Sequence, residues 1–351
     1  MRTLVIKTGA LGDVLRSTSI LPGLAERHPD LDVTWVTAHA ARSLVEHHRL
    51  VETVEVVSPS DADEVSGLTD SLCARSFERI LSFDDEHPLC EMATRLRTAF
   101  PDAQFSGAYL DVDGARAYTD DVAPWFDMGL ISRSGKEEAD RMKIANRRTH
   151  PELFASMLGI SVGRPELPLP GSARAFAEDF RVSRDLDGNR PVIGLNTGAG
   201  GRWKTKELPV DRVAELARIL CKTLESPPTF LVLGGPDEAE RNREILARLS
   251  DDGAKVVDGD TRNSLLEFAG LISLCDLLVT SDSMALHMGV ALDRRIVSFF
   301  APTSAAEIEL YGLGEKVVST SPDYCSYRRD ADNSSITAER VAECALEVLR
   351  R

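Results

Sequence analysis

The chain has 351 residues, 43% apolar and 28% charged, an ordinary globular composition that excludes a disordered, collagenous or disulfide-scaffold protein. Its length predicts two compact units of ~150 to 200 residues each. Lys and Arg number 41 against 56 Asp and Glu, a formal charge of −15, so no global field gathers nucleic acid or anionic lipid and any anionic ligand needs a local site.

The six cysteines, Cys73, Cys90, Cys221, Cys275, Cys325 and Cys344, form no C-x-x-C pair, which argues against a zinc ribbon or disulfide framework and for a reducing cytoplasm. The amino terminus turns polar after three apolar residues, too short a run for a signal peptide. No apolar run is long enough to span a membrane.

In chain order, Leu4 to Ile6 reads as a strand, followed by the loop Lys7-Thr-Gly-Ala-Leu-Gly-Asp13 and an apolar-periodic helix from about Val14 to Glu26. Short β-rich runs follow at Val33 to Thr37, Val51 to Val57 and Arg79 to Phe83, with a helical pattern near Pro88 to Ala99. This alternation implies a parallel sheet with helices on its faces. From Asp111 to about Arg190 the pattern is irregular, and the proline-rich Gly163 to Gly171 leads toward a domain boundary, placed at 185/186. The rhythm restarts with strands at Pro191 to Asn196, Thr229 to Leu233, Lys255 to Val257, Asp276 to Thr280 and Arg295 to Phe300. Helices are expected near Val210 to Leu224, Ser264 to Leu274 and Met284 to Ala291. The expected domains are therefore 1–185 and 186–335, with a C-terminal helix, 336–351, that packs on either domain, including back on the first. In open parallel sheets ligands bind outside the carboxyl ends of the strands, so the five strand exits of the second half are expected to line one site.

Three glycine-bearing turns and one hydroxyl-rich turn carry the chemistry. Thr8 to Asp13 lacks the G-x-G-x-x-G spacing of a dinucleotide site, and from residue type alone Asp13 reads first as a helix N-cap worth roughly 1 kcal/mol. Asn196-Thr-Gly-Ala-Gly-Gly-Arg-Trp-Lys-Thr-Lys206 joins backbone able to approach an anion with cations that neutralise it, the pattern of a phosphate site. Leu233-Gly-Gly-Pro-Asp-Glu238 places acids in a first helical turn, explained by the helix dipole or by ribose hydroxyls. Thr280-Ser-Asp-Ser-Met-Ala-Leu-His287 ends a buried-type strand in hydroxyls at a helix amino terminus, which suits a diphosphate.

Together, in order and spacing, I-K-T-G-A-L-G-D-V, N-T-G-A-G-G-R-W-x-x-K, L-G-G-P-x-E, D-S-x-x-x-H and F-x-A-P-T at Phe299 to Thr303 resemble glycosyltransferase family 9, the ADP-heptose heptosyltransferases of the lipopolysaccharide core. The resemblance implies an α/β fold of GT-B type: two Rossmann-like domains with parallel sheets facing across a cleft, the acceptor held mainly by the first and a nucleotide-sugar donor mainly by the second. It implies an inverting transferase that moves a sugar, a heptose from ADP-heptose foremost, to a hydroxyl of a saccharide or glycolipid acceptor. By position, Asp13 resembles the general base. Thr197, Gly198, Arg202, Lys206, Glu238, Asp282, Ser283 and His287 form the donor set, with Lys206 on the diphosphate. Gly12, Arg141, Lys143 and Arg147 are the acceptor candidates, set against the plainer reading of 133–148 as a solvated helical face. No cofactor and no metal are expected, since no D-x-D triad occurs and fixed cations supply the charge. A cytoplasmic protein that touches the inner membrane only through a lipid-linked acceptor follows. One departure is Met284, where the family usually has glycine, so backbone approach to the phosphate is expected to differ there. The competing classes are another activity of the same architecture such as sugar-nucleotide epimerisation, a non-catalytic nucleotide or glycan binder, and a nicotinamide dehydrogenase, the last opposed by the missing G-x-G-x-x-G.

Overall fold

The structure is a computed structural model that describes residues 1–186, 190–201 and 203–351. The chain divides into two units, Met1–Leu167 and Pro168–Arg351. The first holds β1 (Arg2–Ile6), β2 (Asp32–Ala38), β3 (Thr53–Val57), β4 (Arg79–Ser82), β5 (Gln104–Leu110) and β6 (Arg116–Tyr118), in the order β3-β2-β1-β4-β5-β6. All pair in parallel except β6, which returns antiparallel on β5. Residues of β1 are buried on both faces: Leu4 and Ile6 join Ile80, Leu89, Met92 and Leu96 in one core cluster, and Val5, Leu81 and Trp35 are equally enclosed on the other side. Such continuous apolar runs are what a helix-covered parallel strand requires.

The second unit repeats the plan with every strand parallel: β7 (Val192–Asn196), β8 (Thr229–Val232), β9 (Lys255–Asp258), β10 (Leu277–Ser281), β11 (Arg295–Phe300) and β12 (Gly314–Val318), in the order β12-β11-β10-β7-β8-β9. In both sheets the first strand lies beside the fourth, so each has a point where the strand order reverses, β1/β4 in one and β7/β10 in the other. Ligands of doubly wound sheets bind at such points, beyond the carboxyl ends of the strands.

The domain boundary falls near residue 167, not at 185. Helix Gly171–Ser183 belongs to the second unit because its small face, Ala173 and Ala177, lies against Gly270 of helix Leu265–Ser273; a Cβ at 270 would stand 3.0 Å from the Ala173 carbonyl oxygen. The last helix, Ala338–Arg350, buries Val341, Ala342, Ala345 and Val348 in the second core with Leu216, Leu220 and Phe230. The irregular stretch contains β6, which closes a hairpin with β5, and helices Lys136–Ala145 and His150–Leu158. The latter is bounded by a Thr149/Glu152 capping box and by Gly159 at φ 62°. Among the described residues no helix is long and apolar enough to cross a membrane.

Candidate functional site

In the first unit the reversal point is organised by a carboxylate that the sequence did not single out. Asp84, 4% exposed just beyond β4, accepts hydrogen bonds from the Lys7 ammonium, the Thr8 backbone N–H and, at 2.8 Å, the Thr8 hydroxyl. Lys7 also donates to the Gly9 carbonyl, and its own carbonyl accepts from the Trp35 indole at 3.2 Å. Burial alone would lower the Lys7 pKa, but the charges of Asp84 and then Asp13 outweigh it, and the group stands above the ordinary lysine value as an ammonium. Burial and the neighbouring Asp84 push the Glu86 carboxyl up.

Asp13 is not the helix cap. Helix Leu11–Ser17 starts three residues before Val14, Ala10 takes the cap position, and Asp13 stands in the first turn. Its Oδ1 lies 2.9 Å from Arg16 Nη2, and its side chain is 38% exposed against 13% for Arg16. The Arg16 guanidinium in turn sits 5.3 Å from the ring centroid of Trp125, a cation–π contact. A loop pinned on Asp84 thus feeds a helix that presents one solvent-reaching carboxylate, steadied by an arginine packed on an indole.

The second unit gathers Thr197, Gly198, Lys206, Glu238, Asp282, Ser283 and His287 around the exits of β7, β8 and β10; Arg202 lies outside the described residues. Lys206 Nζ donates to Asp282 Oδ2 at 2.8 Å and to the Asp282 carbonyl at 3.0 Å, both side chains being 16% exposed. Burial pushes the Asp282 pKa up, yet the Lys206 charge and hydrogen bond prevail and hold the carboxyl below the ordinary aspartate range. Asn196 at the end of β7 donates to Thr280 Oγ1 (3.2 Å) and Ser283 Oγ (3.0 Å), and the Ser281 hydroxyl donates to the Gly198 carbonyl, so β7 and β10 are tied exit to exit. Ser283 is the N-cap of helix Met284–Ala291 without a side-chain cap bond. His287, one turn further, is partly buried and interacts electrostatically with Asp282.

Two of the expected donor residues prove to brace the site. Both Glu238 oxygens accept backbone N–H bonds, from Gly200 at 2.5 Å and Gly235 at 2.7 Å, which locks the glycine turns after β7 and β8 together. Gly198 leaves room for this: a Cβ there would stand 2.5 Å from Glu238 Cγ. Thr197 is fully buried, and its hydroxyl accepts from the Arg241 guanidinium at 3.0 Å.

The acceptor candidates divide. Gly12 lies in the first helical turn beside Asp13. Arg141 instead makes a two-pronged bond to Glu138 of its own helix (2.7 and 2.5 Å), Arg147 donates to the Ile144 and Asn146 carbonyls (2.8 Å each), and Lys143 sits partly buried on the same helix. Arg141 and Arg147 are thus engaged by partners within four residues in sequence. Burial pushes the Cys90 and Cys275 thiols up to about 12, which removes them as thiolate nucleophiles. Among the described residues no three His, Cys, Asp or Glu side chains group as metal ligands.

Residues 131–336 match the model of glycosyltransferase family 9 (heptosyltransferase), more than half of the chain. The chain belongs to glycosyltransferase family 9. This family 9 chain is 23% identical over 328 residues to lipopolysaccharide heptosyltransferase 1 of Escherichia coli K12, covering 90% of this chain and 93% of that one. Among solved structures it is similar to the family 9 glycosyl transferase of Veillonella parvula (TM-score 0.72, 18% identity, 99% and 97% of the chains). It is also similar to E. coli ADP-heptose LPS heptosyltransferase II (TM-score 0.70, 20% identity, 100% and 99%). The protein is a glycosyltransferase, and its two doubly wound units are those of the GT-B type.

Proposed function

We propose that this enzyme transfers a heptose from ADP-heptose, with inversion, to a hydroxyl of a saccharide acceptor such as the lipopolysaccharide core. The observation that supports the reading is the Lys206 ammonium, held by Asp282 among glycine and hydroxyl turns at the second unit's reversal point, where it and the surrounding N–H and O–H donors can meet a leaving diphosphate. The acceptor oxygen attacks the anomeric carbon as that carbon's bond to the β-phosphate oxygen breaks. ADP departs with the electron pair, Lys206 and the amino end of helix Met284–Ala291 stabilise it, and Asp13 takes the hydroxyl proton before releasing it to water. Protein cations supply the charge in this reading, so it calls for no metal. A lipid-linked acceptor would bring a cytoplasmic enzyme to the inner membrane surface.

A thermal-shift screen of ADP, GDP, UDP and NAD tests the donor. ADP at 100 times its Kd is expected to stabilise the protein by about 2.7 kcal/mol, with the others well below it. Stabilisation by UDP, GDP or NAD in place of ADP would overturn the assignment.

A further inference from the structure

Lys206 ends a single 3-10 turn, Lys204–Lys206, closed by the Lys206 N–H on the Trp203 carbonyl (2.9 Å) and the Glu207 N–H on the Lys204 carbonyl (3.0 Å). One such turn is a weak element, with poor hydrogen-bond geometry and no neighbouring turn to continue it. The carbonyls on either side of Lys206 nevertheless have a common partner far away in sequence. Asn333 Nδ2 donates to the Thr205 carbonyl at 3.1 Å and to the Glu207 carbonyl at 2.9 Å. Its Oδ1 accepts from Arg212 Nη1 at 3.2 Å, and the same nitrogen donates to the Asn333 carbonyl (2.8 Å) and the Ile336 carbonyl (3.3 Å). Arg212 belongs to helix Val210–Thr223, whose apolar face is part of the second core. A rigid helix therefore holds Asn333, and Asn333 holds the backbone on both sides of Lys206.

We propose that Asn333 is a positioning residue for glycosyl transfer: by clamping the two carbonyls that flank Lys206, it fixes where the Lys206 ammonium meets the donor diphosphate. The inference rests on the reading of Lys206 as the diphosphate cation. The side chain suits the task in a way few others do. A carboxamide offers two donors and an acceptor in one plane, and here the donors take two carbonyls while the acceptor takes a guanidinium. Aspartate matches the shape and keeps the arginine partner, but it has no donor for either carbonyl. Lysine's ammonium rides on a flexible four-carbon stem, so its placement depends on how firmly its backbone and its Asp282 partner are held.

The test is a double-mutant cycle with Asn333→Asp and Lys206→Ala. In the Lys206 background Asn333→Asp is expected to lower kcat/KM about 10- to 100-fold, the scale of a misplaced catalytic group, with acceptor KM little changed and the ADP-induced shift reduced. In the Lys206→Ala background the same substitution is expected to change kcat/KM by less than about 3-fold, because the group it positions is gone. An equal loss in both backgrounds would mean a merely structural role and would overturn the proposal, as would full activity of Asn333→Asp. Should the aspartate lower the Tm enough to obscure the assay, Asn333→Ala in the same cycle removes the clamp without adding charge, read by the same two criteria. Unaltered turnover and ADP binding in Lys206→Ala alone would instead defeat the reading of Lys206; a damaging Lys206→Ala with a harmless Asn333→Asp defeats the Asn333 assignment only.

Discussion

Asp13→Ala is expected to lower kcat by about 10²- to 10⁴-fold, the ordinary contribution of a positioned general base, while ADP is expected to raise the Tm as much as in the wild type. The separation follows from architecture, because Asp13 stands in the first unit and the turns proposed to hold the diphosphate stand in the second. Asp13→Asn sharpens the result. The amide keeps the size and an oxygen for Arg16, 2.9 Å away in the wild type, but cannot take a proton. Both variants are therefore expected to fold, to bind ADP and to fail in turnover, as single-turnover kinetics with saturating donor will report. An Asn variant with a tenth or more of wild-type kcat would remove Asp13 from the proton transfer and return it to helix-dipole stabilisation alone.

Lys206→Ala is expected to cost about 10²- to 10³-fold in kcat, the scale seen when one preorganised group that stabilises a leaving anion is removed, and also to shrink the ADP-induced thermal shift. Its effect on stability depends on pH, with a definite sign. In the wild type the Lys206 charge keeps the folded-state pKa of Asp282 below its unfolded value, so the pair's contribution is present above the ordinary aspartate range and fades as the pH falls through the lowered value. Without Lys206, burial dominates and charging Asp282 opposes folding. The Tm gap between wild type and variant is therefore largest near neutral pH and narrows toward pH 4, measurable by calorimetry across that range. A gap independent of pH would show that Asp282 does not depend on Lys206 for its charge.

The elements nearest the chemistry were legible because their signals are local. The strand Leu4 to Ile6 with its glycine loop, the glycine turn after Asn196 and the hydroxyl turn after Thr280 all lie where apolar runs break, and the structure brings the last two together at β7/β10. What escaped depends on partners remote in sequence. Asp84 reads as one more acid after a short strand until the strand order places β4 against β1 and its carboxylate under Lys7 and Thr8. Glu238 reads as a dipole-complementing acid until two glycine turns meet at its oxygens. Helix Gly171–Ser183 carries a small-residue face whose meaning lies in Gly270, a partner remote in sequence, so the proline-rich stretch and restart of the strand rhythm point to 185/186 while the units divide near 167. Strand β12, with Glu315 and Lys316 at its centre, offers no apolar run, and a Cβ at Gly314 would collide with the Ile296 carbonyl, a constraint visible only once β11 is beside it. Asn333 sits in a polar turn with no motif around it.

The most direct test of the account is to incubate the wild-type enzyme with ADP-heptose and a saccharide acceptor, quantify released ADP, and assign the product's anomeric configuration by proton NMR. Stoichiometric ADP and a glycoside of configuration opposite to that of the donor, both absent without acceptor, are the predicted outcome. Retained configuration, or a sugar nucleotide altered with no acceptor present, would contradict it.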